Sequence, residues 1–262
     1  MKRHHAPFVA VATLSACLIA VACRTVPETG RKQVNFMNPA EEAALGLSEF
    51  NKMKKEKPIS ADQSYNELVQ RVGARLSQVM PVPDAEWEFV VFEDPSPNAF
   101  ALPGGKVGVH TGLFQISQNE AGLAAVIGHE VAHVVARHSG ERISQNVLSS
   151  VAVVGAGYVL NKKTGSSGVL PTAALGGAAL VMTKSFSRKQ KLEADRIGAI
   201  FMARAGYDPQ ESIALWKRFA AWRAQSGQKS TPTFLASHPL DETRIAELER
   251  YMPEALEDYK KP

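Results

Sequence analysis

His129-Glu130-Val131-Ala132-His133 sets two imidazoles four residues apart, with a carboxylate directly after the first. On a helix of 3.6 residues per turn, positions four apart differ by only about 40° around the axis, so both rings can meet one metal ion. Zinc accepts neutral imidazole nitrogen at about 2.0–2.1 Å, and catalytic zinc takes three protein ligands plus a water. Glu130 is turned by about 100° from His129, which lets its carboxylate face that water as a general base instead of binding the metal. The chemistry such a set performs is metal-assisted hydrolysis. A solvated helix face can carry the same letters by chance, and the surroundings must decide. His138 follows His133 by five residues, about 140° further round an uninterrupted helix, and is expected to support the site without binding the metal. His110 is read as a strand residue near the cleft.

Ser117-Gln118-Asn119-Glu120 reads as a capping box, and Leu123, Val126, Ile127, Val131, Val134 and Val135 then recur with helical period. Together they predict a helix from about residue 118 to 138. Trp87 to Phe92 and Lys106 to His110 read as strands, and the glycines around the second suggest a sheet edge. An extended peptide can pair with such an edge. Further helices are expected over Pro39 to Glu56, Tyr65 to Val79 and Ser187 to Ala205, the last capped by Gly206, and others follow Asp208-Pro209 and Pro239. The fold class is therefore α+β, mainly helical, with a small β-sheet beside the metal-binding helix.

The chain of 262 residues is 45% hydrophobic, which suits one main globular domain. Its formal charge of +4 is spread along the sequence, so nucleic acid is not an expected partner. Both cysteines, Cys17 and Cys23, lie near the N-terminus, and no disulfide can hold the body together. Lys2 and Arg3 precede an uncharged apolar run from Val9 to Ala22, the layout of a secretory signal peptide. That run is 14 residues, short of the roughly 20 that span a bilayer. Ala20-Val21-Ala22-Cys23 matches a bacterial lipobox, and Leu14-Ser15-Ala16-Cys17 matches it better locally but would leave a very short apolar region before the cut. Cys23 is the preferred lipidation site, and an ordinary secretory signal is the alternative. Arg24, in place of an aspartate after the cysteine, points to the outer membrane of a bacterial envelope. The resulting division is a signal peptide over 1–22, a lipid-anchored tether and first helix over 23–62, the main domain over 63–255 and a tail over 256–262. Two Ala/Gly/Val-rich stretches, 147–160 and 169–182, read as a helical pair packed on the core or as segments partly inserted into the nearby membrane.

Asn98 to Gly105, the His129–His133 motif, Glu193-Ala194-Asp195 and Ser237-His238-Pro239 occur together and in order. The set closely resembles the metallopeptidase family of the CAAX prenyl protease, HtpX and the periplasmic protein BepA, and Thr25 to Arg31 resembles the opening of its lipoprotein members. The resemblance implies a gluzincin-like zinc metallopeptidase domain, tethered to the membrane and facing the periplasm, that cuts unfolded or stalled envelope proteins. It also implies Asp195 as a supporting residue, and His238 as a group that can approach and occlude the zinc, although a histidine before Pro239 can equally cap the next helix. One departure is serious. The family's third ligand is a glutamate four residues before the aspartate, where this chain has Lys191. A charged ammonium has no lone pair to give a metal. Glu193 is the nearest carboxylate and the candidate third ligand, though it lies about 200° from Lys191 on an ideal helix. Two readings follow: an active peptidase with a substituted ligand, or an inactive relative that binds unfolded chains on the same groove.

Overall fold

In a computed structural model of the chain, the described residues are 23–150, 186–226 and 242–259. The signal segment with Cys17, His238, and the apolar stretches 147–160 and 169–182 apart from 147–150 lie outside them. An antiparallel hairpin, β1 (Cys23–Thr25) and β2 (Lys32–Val34), leads into α1 (Pro39–Glu56). Asn38 caps α1 by accepting from the Glu41 N–H at 2.9 Å while the Glu41 carboxylate takes the Asn38 N–H, and Pro39 sits in the first turn, where a missing donor costs nothing. Asp62 caps α2 (Gln63–Ser77) by accepting from the Ser64 and Tyr65 N–H groups, and the helix buries Val69, Val72 and Leu76.

The sheet has strand order β3 (Glu88–Phe92), β5 (Lys106–His110), β4 (Ala99–Leu102), with β3 parallel and β4 antiparallel to β5. The strand expected at an edge is thus the centre, buried at every position. Gly108 explains the misreading: a Cβ there would lie 2.2 Å from the Phe100 ring, so the glycine admits an aromatic neighbour and does not mark an exposed edge. The edge strand packed beside the helix that carries His129 and His133 is β4.

A 3-10 turn (Thr111–Leu113) and the short α3 (Phe114–Ser117) lead to α4 (Glu120–Val135). Asn119, not Ser117, is its cap, with Oδ1 accepting from the Gly122 N–H at 2.7 Å. The helix also stops earlier than expected. Arg137 takes a left-handed φ of 53°, held by its guanidinium on Glu42 and the Met37 carbonyl, while Gln33 donates to the Ala136 carbonyl at 2.8 Å. A new helix, α5, starts at residue 138 and is described to 150. His138 therefore belongs to a different helix from the motif.

Beyond the undescribed stretch, α6 (Arg188–Arg204) begins with a Ser187–Gln190 capping box and packs across α4. Gly128 and Gly198 set the crossing, since a Cβ on Gly198 would lie 2.9 Å from the His129 backbone nitrogen. The helices α7 (Glu211–Ser226) and α8 (Glu242–Asp258) close the layer. One continuous core runs through them, including Val107, Leu123, Ile127, Val131, Ile197, Phe201 and Phe219, each fully buried side chain contributing about 1.5–3 kcal/mol. The fold is a mainly helical α+β domain. The stretch read as a tether is fastened to it: Val26 is fully buried in the main core, and Glu28 pairs with Arg204 at 2.7 Å.

Candidate metal centre

The close crossing of α4 and α6 brings Asp195 to the first histidine. Its Oδ1 lies 2.8 Å from His129 Nδ1, and since an ionised carboxylate can only accept, the His129 proton resides on Nδ1 and the lone pair on Nε2. Burial alone would raise the Asp195 pKa, but Arg244 and His129 outweigh it and hold the carboxylate below its usual range. Arg244 grips both Asp195 oxygens, stacks 3.5 Å over the Trp216 ring and brings Nη2 within 3.2 Å of both His129 nitrogens. Burial lowers the His129 pKa and keeps the ring neutral.

His133 sits one turn further along α4, with Phe186 stacked on its ring at 3.8 Å. Its Nε2 faces His129 Nε2 at 3.3 Å, and its Nδ1 faces His138 Nδ1 at 2.7 Å. Tetrahedral zinc with bonds of about 2.0–2.1 Å separates two ligand nitrogens by about 3.3–3.4 Å. The two histidines therefore fit that ion in chemistry and in spacing. Glu130 is buried between them in sequence, and burial pushes its carboxyl up to about 8.

The third position does not follow. Lys191 lies one turn before Asp195 and is buried, with its pKa pushed down to about 8 by burial and by the charges of Arg244 and Arg142. Glu193, the expected replacement ligand, is turned elsewhere. Its carboxylate accepts from Thr29 Oγ1 at 2.5 Å and Arg31 Nε at 2.7 Å, and meets His138 Nε2 at 3.0 Å. The helix neither rotates nor distorts to deliver it, because an arginine has already engaged it. Among the described residues no group of three His, Cys, Asp or Glu is arranged to hold a metal ion. His110 ends β5 bound to Asp94, Ser96 and Lys57, and Cys23 is exposed at the start of β1. Arg244, Arg31, Trp216 and Phe186 went unread in the sequence, since single residues on separate elements carry no spacing signal. The Thr25–Arg31 resemblance was the one hint that Arg31 matters.

The Glu193 contacts have a pH signature. Burial opposes ionisation, but the His138, Thr29 and Arg31 hydrogen bonds overcome it and bring the pKa from an ordinary 4.5 to about 2. A carboxylate depressed in the folded state stabilises the fold above its unfolded pKa, and that stability is lost as pH falls through the folded value. Urea midpoints should therefore drop as pH falls from 4.5 toward 2, and Glu193→Gln should be less stable at neutral pH with a flatter acid profile. An unchanged acid slope in the variant would contradict this assignment.

The model of the family described as Peptidase family M48 matches residues 63–252. Mitochondrial metalloendopeptidase OMA1 of Schizosaccharomyces pombe is 36% identical over 233 residues, covering 88% of this chain and 66% of that protein. OMA1 of Saccharomyces cerevisiae is 37% identical over 179 residues, covering 67% of this chain and 50% of that protein. The beta-barrel assembly-enhancing protease of Escherichia coli K12 is 28% identical over 249 residues, covering 90% of this chain and 50% of that protein. The chain thus spans half to two-thirds of the length of these relatives. With a matched region that contains both histidines, Glu130, Lys191 and Asp195, the chain belongs to peptidase family M48, a family of zinc metallopeptidases.

Proposed function

We propose that the chain is a zinc metalloendopeptidase of the bacterial envelope whose metal site is weakened by Lys191. The observation that carries this reading is the convergence of His129 and His133 Nε2 at the separation zinc requires, with Glu130 buried on the same helix. His129 and His133 would hold the ion, which supplies Lewis-acid activation of water and favours the ionised form of Glu130. Glu130 would take the proton of the water that adds to the scissile carbonyl and pass it to the amine released as the C–N bond breaks. Asp195, fixed by Arg244, keeps the His129 lone pair directed inward. A substrate in extended form can add to the β4 edge, the geometry of strand addition.

The substrate class in this reading is unfolded or stalled envelope polypeptide. One relative carries a name that speaks of β-barrel assembly, which favours that class. An acylated Cys23 would hold the domain at the periplasmic face of the outer membrane, since the hairpin that follows it is packed on the core. No described helix is long and apolar enough to cross a membrane. His238 remains a proposed regulator of the open metal position. Lys191 favours a second reading, a catalytically weak relative that binds unfolded chains.

Lys191→Glu separates the two. It should raise zinc affinity by supplying the third protein ligand that catalytic zinc takes and raise casein hydrolysis with it, while Glu130→Gln in that background should cut hydrolysis by about 10²–10⁴ and spare the metal. Wild-type protein that already binds zinc as tightly and cleaves as fast as Lys191→Glu would sink the proposal. For the anchor, intact mass should show an acyl addition that Cys23→Ser abolishes. Lipid retained in Cys23→Ser and lost in Cys17→Ser would reassign the site.

A further inference from the structure

The hydrogen bonds behind His133 form a directed chain. Glu193 is held by Thr29 and Arg31 from the hairpin turn, and Arg31 is itself fixed by two bonds to Glu141, at 2.7 and 2.9 Å. Gln190 donates to the same Glu141 at 2.8 Å, which holds that carboxylate in place to receive the arginine. Glu193, as a carboxylate, only accepts, and His138 Nε2 at 3.0 Å must therefore carry the proton between them. In a neutral imidazole the other nitrogen is then an acceptor. That nitrogen, His138 Nδ1, lies 2.7 Å from His133 Nδ1, so His133 donates. With its proton on Nδ1, His133 directs its lone pair from Nε2 toward His129 Nε2, 3.3 Å away.

Resting on the two-histidine metal site proposed above, we infer that His138, Glu193 and Arg31 form a relay from the N-terminal hairpin that fixes the His133 tautomer for metal binding. His138 and Arg31 are positioning residues. The relay gives the hairpin a role other than tethering: the segment directly after Cys23 completes the metal site from behind. His129 has its own support in Asp195, on α6. The two ligands are thus oriented by separate parts of the chain, one by the helical core and one by the segment nearest the anchor. Partners of this kind, which orient a ligating histidine from behind, typically carry about 10–100-fold in metal affinity.

Long-range 1H–15N NMR on the metal-free full chain at neutral pH reads the tautomer directly. The expected result is His133 protonated on Nδ1 in the wild type, with His138→Phe shifting it toward the Nε2–H form. Zinc affinity should fall about 10–100-fold in His138→Phe, and less in Arg31→Met. Thr29→Val, a mild change at a half-buried turn residue, should move both readouts in the same direction, and the wild-type spectrum needs no variant to fold. His133 carrying its proton on Nε2 in the wild type would overturn the relay. So would unchanged zinc affinity in folded His138→Phe when His133→Ala abolishes binding. A wild type that binds no zinc would refute the metal site instead, and the tautomer alone would then decide the relay.

Discussion

Two imidazole nitrogens that both lack a proton repel one another unless a cation shares them, and much of the structure serves to keep His129 and His133 in that arrangement. The separation of 3.3 Å is set first by α4, whose period stacks residues four apart. Orientation comes from outside the helix. Gly128 and Gly198 let α6 approach until Asp195 reaches His129, and Arg244 neutralises and clamps that aspartate with Trp216 beneath it. Break the glycine contact and the carboxylate that selects the His129 tautomer withdraws. On the other side the break after Val135 returns the chain so that His138 meets His133, an arrangement a continuous helix would forbid.

Lys191 reverses one sign in this otherwise consistent design. An anion at that point would complete the ligand set, whereas an ammonium adds positive charge beside Arg244 and Arg142. Its pKa is lowered to about 8 first by burial and then by the charges of Arg244 and Arg142, and those two charges would also disfavour a metal ion. Among the described residues neither neighbouring carboxylate compensates: Glu193 is committed to the hairpin, and Asp195 to His129 and Arg244. The two imidazoles keep their supporting partners, and no group of three His, Cys, Asp or Glu among the described residues is arranged to hold a metal ion.

What the sequence revealed was what local interactions decide. Asn38 with Glu41, and Ser187 with Gln190, fixed helix starts because a cap acts within one turn. The motif helix was legible from the helical period of Leu123, Val126, Ile127 and Val131, although Asn119 and not Ser117 caps it. The end of α4 was not, because Gln33 and Glu42 hold it from about a hundred residues away. Strand Lys106–His110 looked like an edge because Gly108 has two meanings, and only the Phe100 ring above it selects between them. Glu193 is the carboxylate nearest Lys191 in sequence, but its partner in the fold, Arg31, is 162 residues distant.

The central claim is that His129 and His133 jointly ligate zinc without a protein carboxylate in the third position. X-ray absorption at the zinc edge of the metal-loaded full chain tests it most directly. The account predicts two imidazole ligands at about 2.0–2.1 Å, completed by light atoms and lost together in the double variant His129→Ala with His133→Ala. Zinc retained in that double variant, or a spectrum without imidazole scattering in the wild type, would contradict it.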